Sequence, residues 1–280
     1  MGSSGYDEAT NALADYVRAQ ADVLDSGFRA LREDPTPKLV HDVRVAARRL
    51  RTALKSFSSV LDLQGPAPQE IDQDLRWLGG LLSDLRDADV LRRNLEERLA
   101  ELPSEWVMGP VREEIATTLA EVRQAAVAEL VSQQDTERYR LTLDAVSSWR
   151  ESPPLAGEAE ELLETTSRKI LAKRRRKARR RLEAAALDPS RTHAARKAVK
   201  RLRYTAEPLA PALPKARKVA KRAKRTQRSL GHHQDAVVEA GFLRGQARRF
   251  GSRSGHNGFV YGVLMAQAER RASEVREAVL

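Results

Sequence analysis

Cysteine is absent from the 280 residues. That single absence excludes disulfide scaffolds, thiolate zinc sites, iron–sulfur clusters and thiol nucleophiles, and it fits a reducing compartment. Aromatic residues make up only 5% of the chain, too few for the stacking platforms on which single-stranded nucleic acid is held. No stretch approaches the ~18 consecutive apolar residues of a membrane span. Met1 to Thr10 lacks the basic-then-apolar layout of a signal peptide, so a cytoplasmic location is expected. Gly2-Ser3-Ser4-Gly5 reads as a cloning scar and is left out of the fold reading.

What the chain does have is charge, with 50 Lys and Arg against 39 Asp and Glu for a net +11, on a 41% hydrophobic content sufficient for a globular core. The charge is concentrated. Arg168 to Arg228 holds 24 Lys and Arg against three acids (Glu183, Asp188 and Glu207), or +21, so the remainder carries −10. Basic residues serving only solubility would be spread along the chain, so this segregation points to a polyanionic partner. Nucleic acid, an anionic membrane surface and inorganic polyphosphate all qualify.

Prolines at 35, 37, 66, 68, 103, 110, 153, 154, 189, 208, 211 and 214 divide segments rich in Ala, Leu, Arg and Glu with apolar residues at helical spacing. The pattern predicts an all-α chain with helices at roughly 6–33, 37–62, 69–100, 111–133, 136–150, 157–187, 190–212, 215–249 and 257–279, and no strand. Gly79-Gly80 and Gly231 are candidate breaks in the third and eighth. Trp77, Trp106, Trp149 and the five Phe lie among apolar neighbours and read as core.

The helices repeat. Pro37-x-x-x-His41-x-x-Arg44-x-Ala46-x-Arg48-Arg49-Leu50-Arg51 returns 152 residues later as Pro189-x-x-x-His193-x-x-Arg196-x-Ala198-x-Lys200-Arg201-Leu202-Arg203, with 7 of 15 positions identical. Leu82 to Val90 is echoed by Leu230 to Val238. The chain therefore reads as an internal duplication of two similar helical halves, 6–152 and 153–280, with Pro153-Pro154 at the seam. So short a linker favours one unit, a single domain over 6–280.

Thr36-Pro37 and Asp188-Pro189 are both helix-start pairs. At 100° per residue, His41, Arg44, Arg48, Arg51 and Lys55 fall within an arc of about 80°, opposite Val43, Ala46, Leu50 and Leu54. His193, Arg196, Lys200 and Arg203 repeat the arrangement, with Lys197 and Tyr204 at its edge and Glu207 in place of the final lysine. A solvated helix face normally mixes signs to gain i,i+4 pairs, whereas the His41–Lys55 row contains no acid and repels itself by tenths of a kcal/mol per pair. Something anionic is expected to offset that repulsion. Lys221, Lys224 and Arg228 line one face of the 215–230 segment, and Lys173, Arg176 and Arg180 belong to a basic run expected to line the same surface. The 69–76 segment of the first half is acidic, so the site should lean toward the second half.

These motifs, His41-Asp42-x-Arg44-Val45-Ala46-x-Arg48-Arg49-Leu50-Arg51, Leu85-Arg86-Asp87-x-Asp89-Val90 and His193-x-x-Arg196-x-Ala198-x-Lys200-Arg201-Leu202-Arg203-Tyr204 with Glu207, resemble the CHAD family of histidine-containing α-helical domains over nearly the whole chain, from about Tyr6 to Leu280. The resemblance implies two helical bundles related by a pseudo-twofold axis around a basic central groove or channel. It also implies non-enzymatic binding of inorganic polyphosphate, association with polyphosphate granules, and polyphosphate-metabolising enzymes as neighbours. His41, Arg44, Arg48, Arg51, His193, Arg196, Lys200, Arg203 and Tyr204 match the family motif. Glu207 interrupts the second row, and His232-His233 replaces the more apolar residues expected before Asp235.

No cofactor, metal site or catalytic residue is expected. Asp84, Asp87 and Asp89 do not converge as cation ligands do and are expected to cap a helix or pair with arginines. His232 and His233 point about 100° apart on a helix. His41 and His193 could serve as general acids or bases, but phosphoryl transfer also needs a metal clamp or a positioned water, and no Gly-x-x-x-x-Gly-Lys-Ser/Thr loop or metal-spaced carboxylate set accompanies them. The alternatives are nucleic-acid binding, which lacks a base-reading motif, and polyphosphate or nucleotide hydrolysis.

Overall fold

A computed structural model describes residues 4–62, 68–254 and 256–280; Gly2, Ser3 and Pro66 of the sequence reading lie outside them. The helices are α1 (Ser4–Ala30), α2 (Pro37–Ser56), α3 (Pro68–Leu81), α4 (Ser83–Glu101), α5 (Val111–Gln134), α6 (Glu137–Glu151), α7 (Ala159–Leu187), α8 (Thr192–Ala206), α9 (Pro214–Phe250) and α10 (Phe259–Val279). Short 3-10 turns occupy Ser104–Trp106 and Pro189–Arg191. Among the described residues the chain is all-α; one isolated bridge, Leu61 to Leu155, ties the segment after α2 to the seam, with Asp62 N donating to Pro154 O at 3.1 Å.

The boundaries follow local chemistry. Thr36 caps α2, its hydroxyl accepting from Leu39 N at 3.3 Å, and Pro37 takes the first helical position, where its missing N–H costs nothing. The second copy starts differently. Asp188 accepts from Ser190 N at 2.9 Å, so Pro189 heads a 3-10 turn and the α-helix begins three residues later, at Thr192. Both motif helices are shorter than expected. α2 stops at Ser56 because Phe57, Val60 and Leu61 turn inward and are buried. α8 stops at Ala206 because Pro208 removes a donor and cannot continue the ladder. The long third segment breaks at buried Leu82 rather than at its glycines, giving α3 and α4, and Gly231 leaves α9 continuous.

The chain divides into two compact units. Unit 1 comprises residues 1–83 and 128–225, and unit 2 comprises 84–127 and 226–280, so the division falls within α5 and α9 and each unit draws on both sequence halves. In unit 1, α1 packs on α2, α6 and α7, while α8 packs on α7 and α2. Gly27 permits the close approach of α1 to α2: a Cβ there would overlap Cγ2 of Val43. Arg150 of α6 reaches buried Asp25 of α1 at 2.7 Å, and Arg138 lies 4.4 Å over the Trp77 ring while pairing with Asp74 at 2.8 Å.

Unit 2 is centred on Leu91, Leu95, Leu99, Ile115, Leu119, Leu243, Tyr261 and Leu264. Buried Glu114 accepts from the Tyr261 hydroxyl and contacts His256 Nδ1; Phe250 stacks on that imidazole with centroids 5.6 Å apart. The aromatic core expected from sequence is only partly realised. Trp106 and Phe259 are 44% and 47% exposed and meet edge to face at 6.4 Å, because the Ser104–Trp106 turn and the first turn of α10 lie at the surface of this unit.

Candidate polyanion-binding site

α2 and α8 each bury one face, Val40, Val43, Ala46, Leu50 and Leu54 on the first and Ala195, Ala198, Val199 and Leu202 on the second. The cationic arcs are thereby left at the edges and outside of those faces. His41, Lys55, His193 and Lys197 are exposed, while Arg44, Arg48, Arg51, Arg196, Lys200 and Arg203 are part-buried. Nε of Arg48 is buried without a hydrogen-bond acceptor among the described residues.

The expectation that the first row goes uncompensated needs correction. Its acid comes from α3. Asp72 is 8% exposed, accepts from Arg51 through Nε at 3.0 Å and Nη2 at 3.3 Å, and pairs with Lys55 Nζ at 2.6 Å. Burial alone would raise its carboxyl, but the hydrogen bonds from Arg51 and Lys55 prevail and hold it below the ordinary value of 3.8. The last arginine of the second row is held likewise, Arg203 Nε donating to Glu207 at 2.6 Å. Glu207 also accepts from Arg49 of α2 at 3.1 Å and from Tyr16 of α1 at 3.2 Å, so the residue that interrupts the basic row joins three helices.

Tyr204 also departs from its expected place. It falls on the cationic arc of α8 yet is only 3% exposed, covered by the guanidinium groups of Arg203 and Arg49 at 5.5 and 6.0 Å from its ring centroid. α2 therefore covers the C-terminal end of the second arc. The crossing is completed by the buried hydroxyls of Ser56 and Thr205, 2.8 Å apart. Arg49, Arg203 and Tyr204 thus help to hold the two motif helices together, whereas Arg51 ties α2 to α3, and this shared end brings the two rows toward each other within unit 1.

In the basic run of α7, Lys173, Arg176 and Arg180 are exposed, about 130° around the helix from its buried seam. Arg174, absent from the expected site, is the member that turns inward. It lies between Ile170 and buried Ala178 on the seam and donates to Ser56 Oγ at 3.4 Å. Burial, and then the neighbouring Arg201, lower its pKa from the ordinary arginine value. The spacing Leu163, Ile170, Arg174, Ala178 carried this signal, which a run of eight basic residues in nine positions hides.

On α9, Lys221 is exposed opposite buried Ala216 and Ala223 and Lys224 is exposed at the flank of that face, while Arg217 donates to the carbonyls of Ala210 at 3.1 Å and Pro211 at 2.9 Å. Arg228 is exposed within unit 2. Of the aspartates on α4, Asp89 is buried and pairs with Arg123 of α5 at 3.2 Å, Asp84 sits in the first helical turn and Asp87 is exposed. Among the described residues no three of His, Asp and Glu stand together as a metal-ligand set, and no helix is long and apolar enough to cross a membrane.

Fold and site together define an all-α protein organised on two copies of a basic helix motif. The chain belongs to the CHAD family, whose domain model matches residues 15–244. It is 32% identical over 267 residues to the uncharacterized proteins MT2285 and Rv2226 of Mycobacterium tuberculosis strains CDC 1551 and H37Rv, covering 93% of this chain. The chain spans about half the length of these curated relatives (50%). Among solved structures, the CHAD domain of the plant Ricinus communis matches with a TM-score of 0.70 at 25% identity, over 96% of this chain and 89% of that one. PptA from Streptomyces chartreusis shares the fold, with a TM-score of 0.73 at 21% identity over 96% and 97%.

Proposed function

We propose that this chain binds inorganic polyphosphate along the α2 and α8 rows without cleaving it. The observation that carries the reading is the +21 concentrated between Arg168 and Arg228, part of it on α8, the helix that α2 crosses. An extended chain with one charge or more per phosphate matches a row of cations spaced by helical turns. Arg44, Arg48 and Arg196 supply planar forks suited to two phosphate oxygens, and Lys200 and Lys55 supply point charges. His41 and His193 stand at the exposed heads of the rows as further donors. The exposed lysines and arginines of α7 and of α9 enlarge the attracting field rather than fix the register. In this reading, cytoplasmic polyphosphate granules and polyphosphate-metabolising enzymes are the natural company of such a module.

The test is competition for the purified protein between long-chain polyphosphate and duplex DNA at physiological salt, with phosphate release followed in parallel with and without magnesium. Polyphosphate should displace DNA and remain intact. Preference for DNA would replace this reading by nucleic-acid binding, and phosphate release abolished by His41→Ala or His193→Ala would replace it by hydrolysis.

A further inference from the structure

Three partly buried arginines of the crossing end on carboxylates, Arg51 on Asp72 and Arg49 and Arg203 on Glu207. Arg174 does not. Its Nη2 donates to Ser56 Oγ, which shares a hydrogen bond of 2.8 Å with Thr205 Oγ1, and the pair of hydroxyls fixes the guanidinium against α2 and α8. Ser56 and Thr205 are 7% and 0% exposed, so this orientation is set by packed groups. Among the described residues no acid pairs with Arg174, and the charge beside it is a second cation, Arg201 of α8. Half-burial and like-charge repulsion are both uncompensated, and the guanidinium keeps donors that the hydroxyl does not use.

We infer that Arg174 and Arg201 form a subsite for a single tetrahedral phosphoryl group where α7 meets α2 and α8, with Ser56 and Thr205 as positioning residues. A doubly charged phosphoryl oxyanion accepts two parallel N–H bonds from a guanidinium and relieves the repulsion between the two arginines. The inference rests on the polyphosphate reading for its natural ligand, but the subsite requires only one phosphate unit. It should therefore respond to pyrophosphate as well as to the long polymer.

Pyrophosphate and long-chain polyphosphate are titrated calorimetrically at physiological salt into the full chain and into Arg174→Gln, Arg201→Gln, Ser56→Ala and, as control, Arg140→Gln, an exposed arginine of α6. Thermal melts are recorded with and without pyrophosphate. Arg174→Gln should weaken both ligands at least tenfold and abolish the rise in Tm caused by pyrophosphate, while its ligand-free Tm stays at or above that of the parent, because a half-buried cation has been removed. Ser56→Ala should weaken both ligands less than Arg174→Gln, and Arg140→Gln should change either by less than twofold. Equal losses in Arg174→Gln and Arg140→Gln would overturn the subsite while leaving polyphosphate binding intact. A fall in the ligand-free Tm of Arg174→Gln would overturn it too, marking the residue as structural. Loss of pyrophosphate binding in Arg174→Gln, in a protein whose parent ignores the long polymer, would support the subsite and refute the polyphosphate reading.

Discussion

Arg48 and Arg51 are one helical turn apart on the same cationic arc, yet the structure assigns them opposite consequences on replacement. Arg51→Gln removes a two-pronged bond from a carboxylate that is 8% exposed, leaving Asp72 with Lys55, a side chain 58% exposed to water. A buried charged acceptor that loses its main donor costs about 1–3 kcal/mol. At about 2–4 °C per kcal/mol for a domain of roughly this size, Tm should fall by about 2–12 °C. Arg48→Gln severs no ion pair among the described residues and retains helix propensity, so its Tm should stay within about 1 °C of the parent. Its loss should appear in binding instead. One charge-assisted contact is worth about 1.5–3 kcal/mol, which is roughly a tenfold to hundredfold weakening of polyphosphate affinity. Thermal melts by circular dichroism and calorimetric titration of both variants separate the two effects. The reasoning is refuted if Arg51→Gln melts with the parent and weakens binding as much as Arg48→Gln does.

Further outcomes can be checked independently. Because Asp72 is held below 3.8 in the folded protein, its pairing stabilises above about pH 4, where the unfolded carboxylate is ionised, and is lost as pH falls through the lower folded value. Denaturant melts should therefore show an Asp72→Asn deficit that is constant from pH 5 to 8 and shrinks below pH 4. Gly27→Ala should destabilise by about 1–3 kcal/mol through its clash with Val43, whereas Gly231→Ala, whose Cβ meets nothing within 4 Å, should be neutral or stabilising in the same melts. Polyphosphate affinity should fall linearly on a log–log plot against salt, with a slope reduced in variants lacking row cations, as counterion release requires.

How much of this was legible beforehand depended on whether the cause was local. The all-helical character and the buried faces of α2 and α8 follow from spacing within one segment, and the Thr36-Pro37 start depends on four neighbouring residues. The same logic misplaced the start of α8, since Asp188 served a 3-10 turn before the helix proper. The composition of the site was harder to read, because its acids arrive from elsewhere. Asp72 lies 21 residues from Arg51 and Glu207 lies 158 from Arg49, separations that no helical wheel contains. Tyr204 shows the converse: its angular position matches the exposed row, yet Arg49 of another helix covers it. Arg174 obeyed the 3.6-residue period throughout, but the basic residues on either side of it masked the fact that it faces inward.

The measurement that bears most directly on the central claim compares two quadruple variants. Arg44, Arg48, Arg196 and Lys200 changed together to Gln remove four row cations; Arg92, Arg93, Arg244 and Arg270 changed together to Gln remove the same charge from exposed ion pairs in unit 2. With helicity equal in both, the account predicts that polyphosphate affinity at physiological salt falls at least a hundredfold in the first variant and less than fivefold in the second. Equal losses in the two would contradict it, showing that diffuse net charge rather than the paired rows holds the polymer.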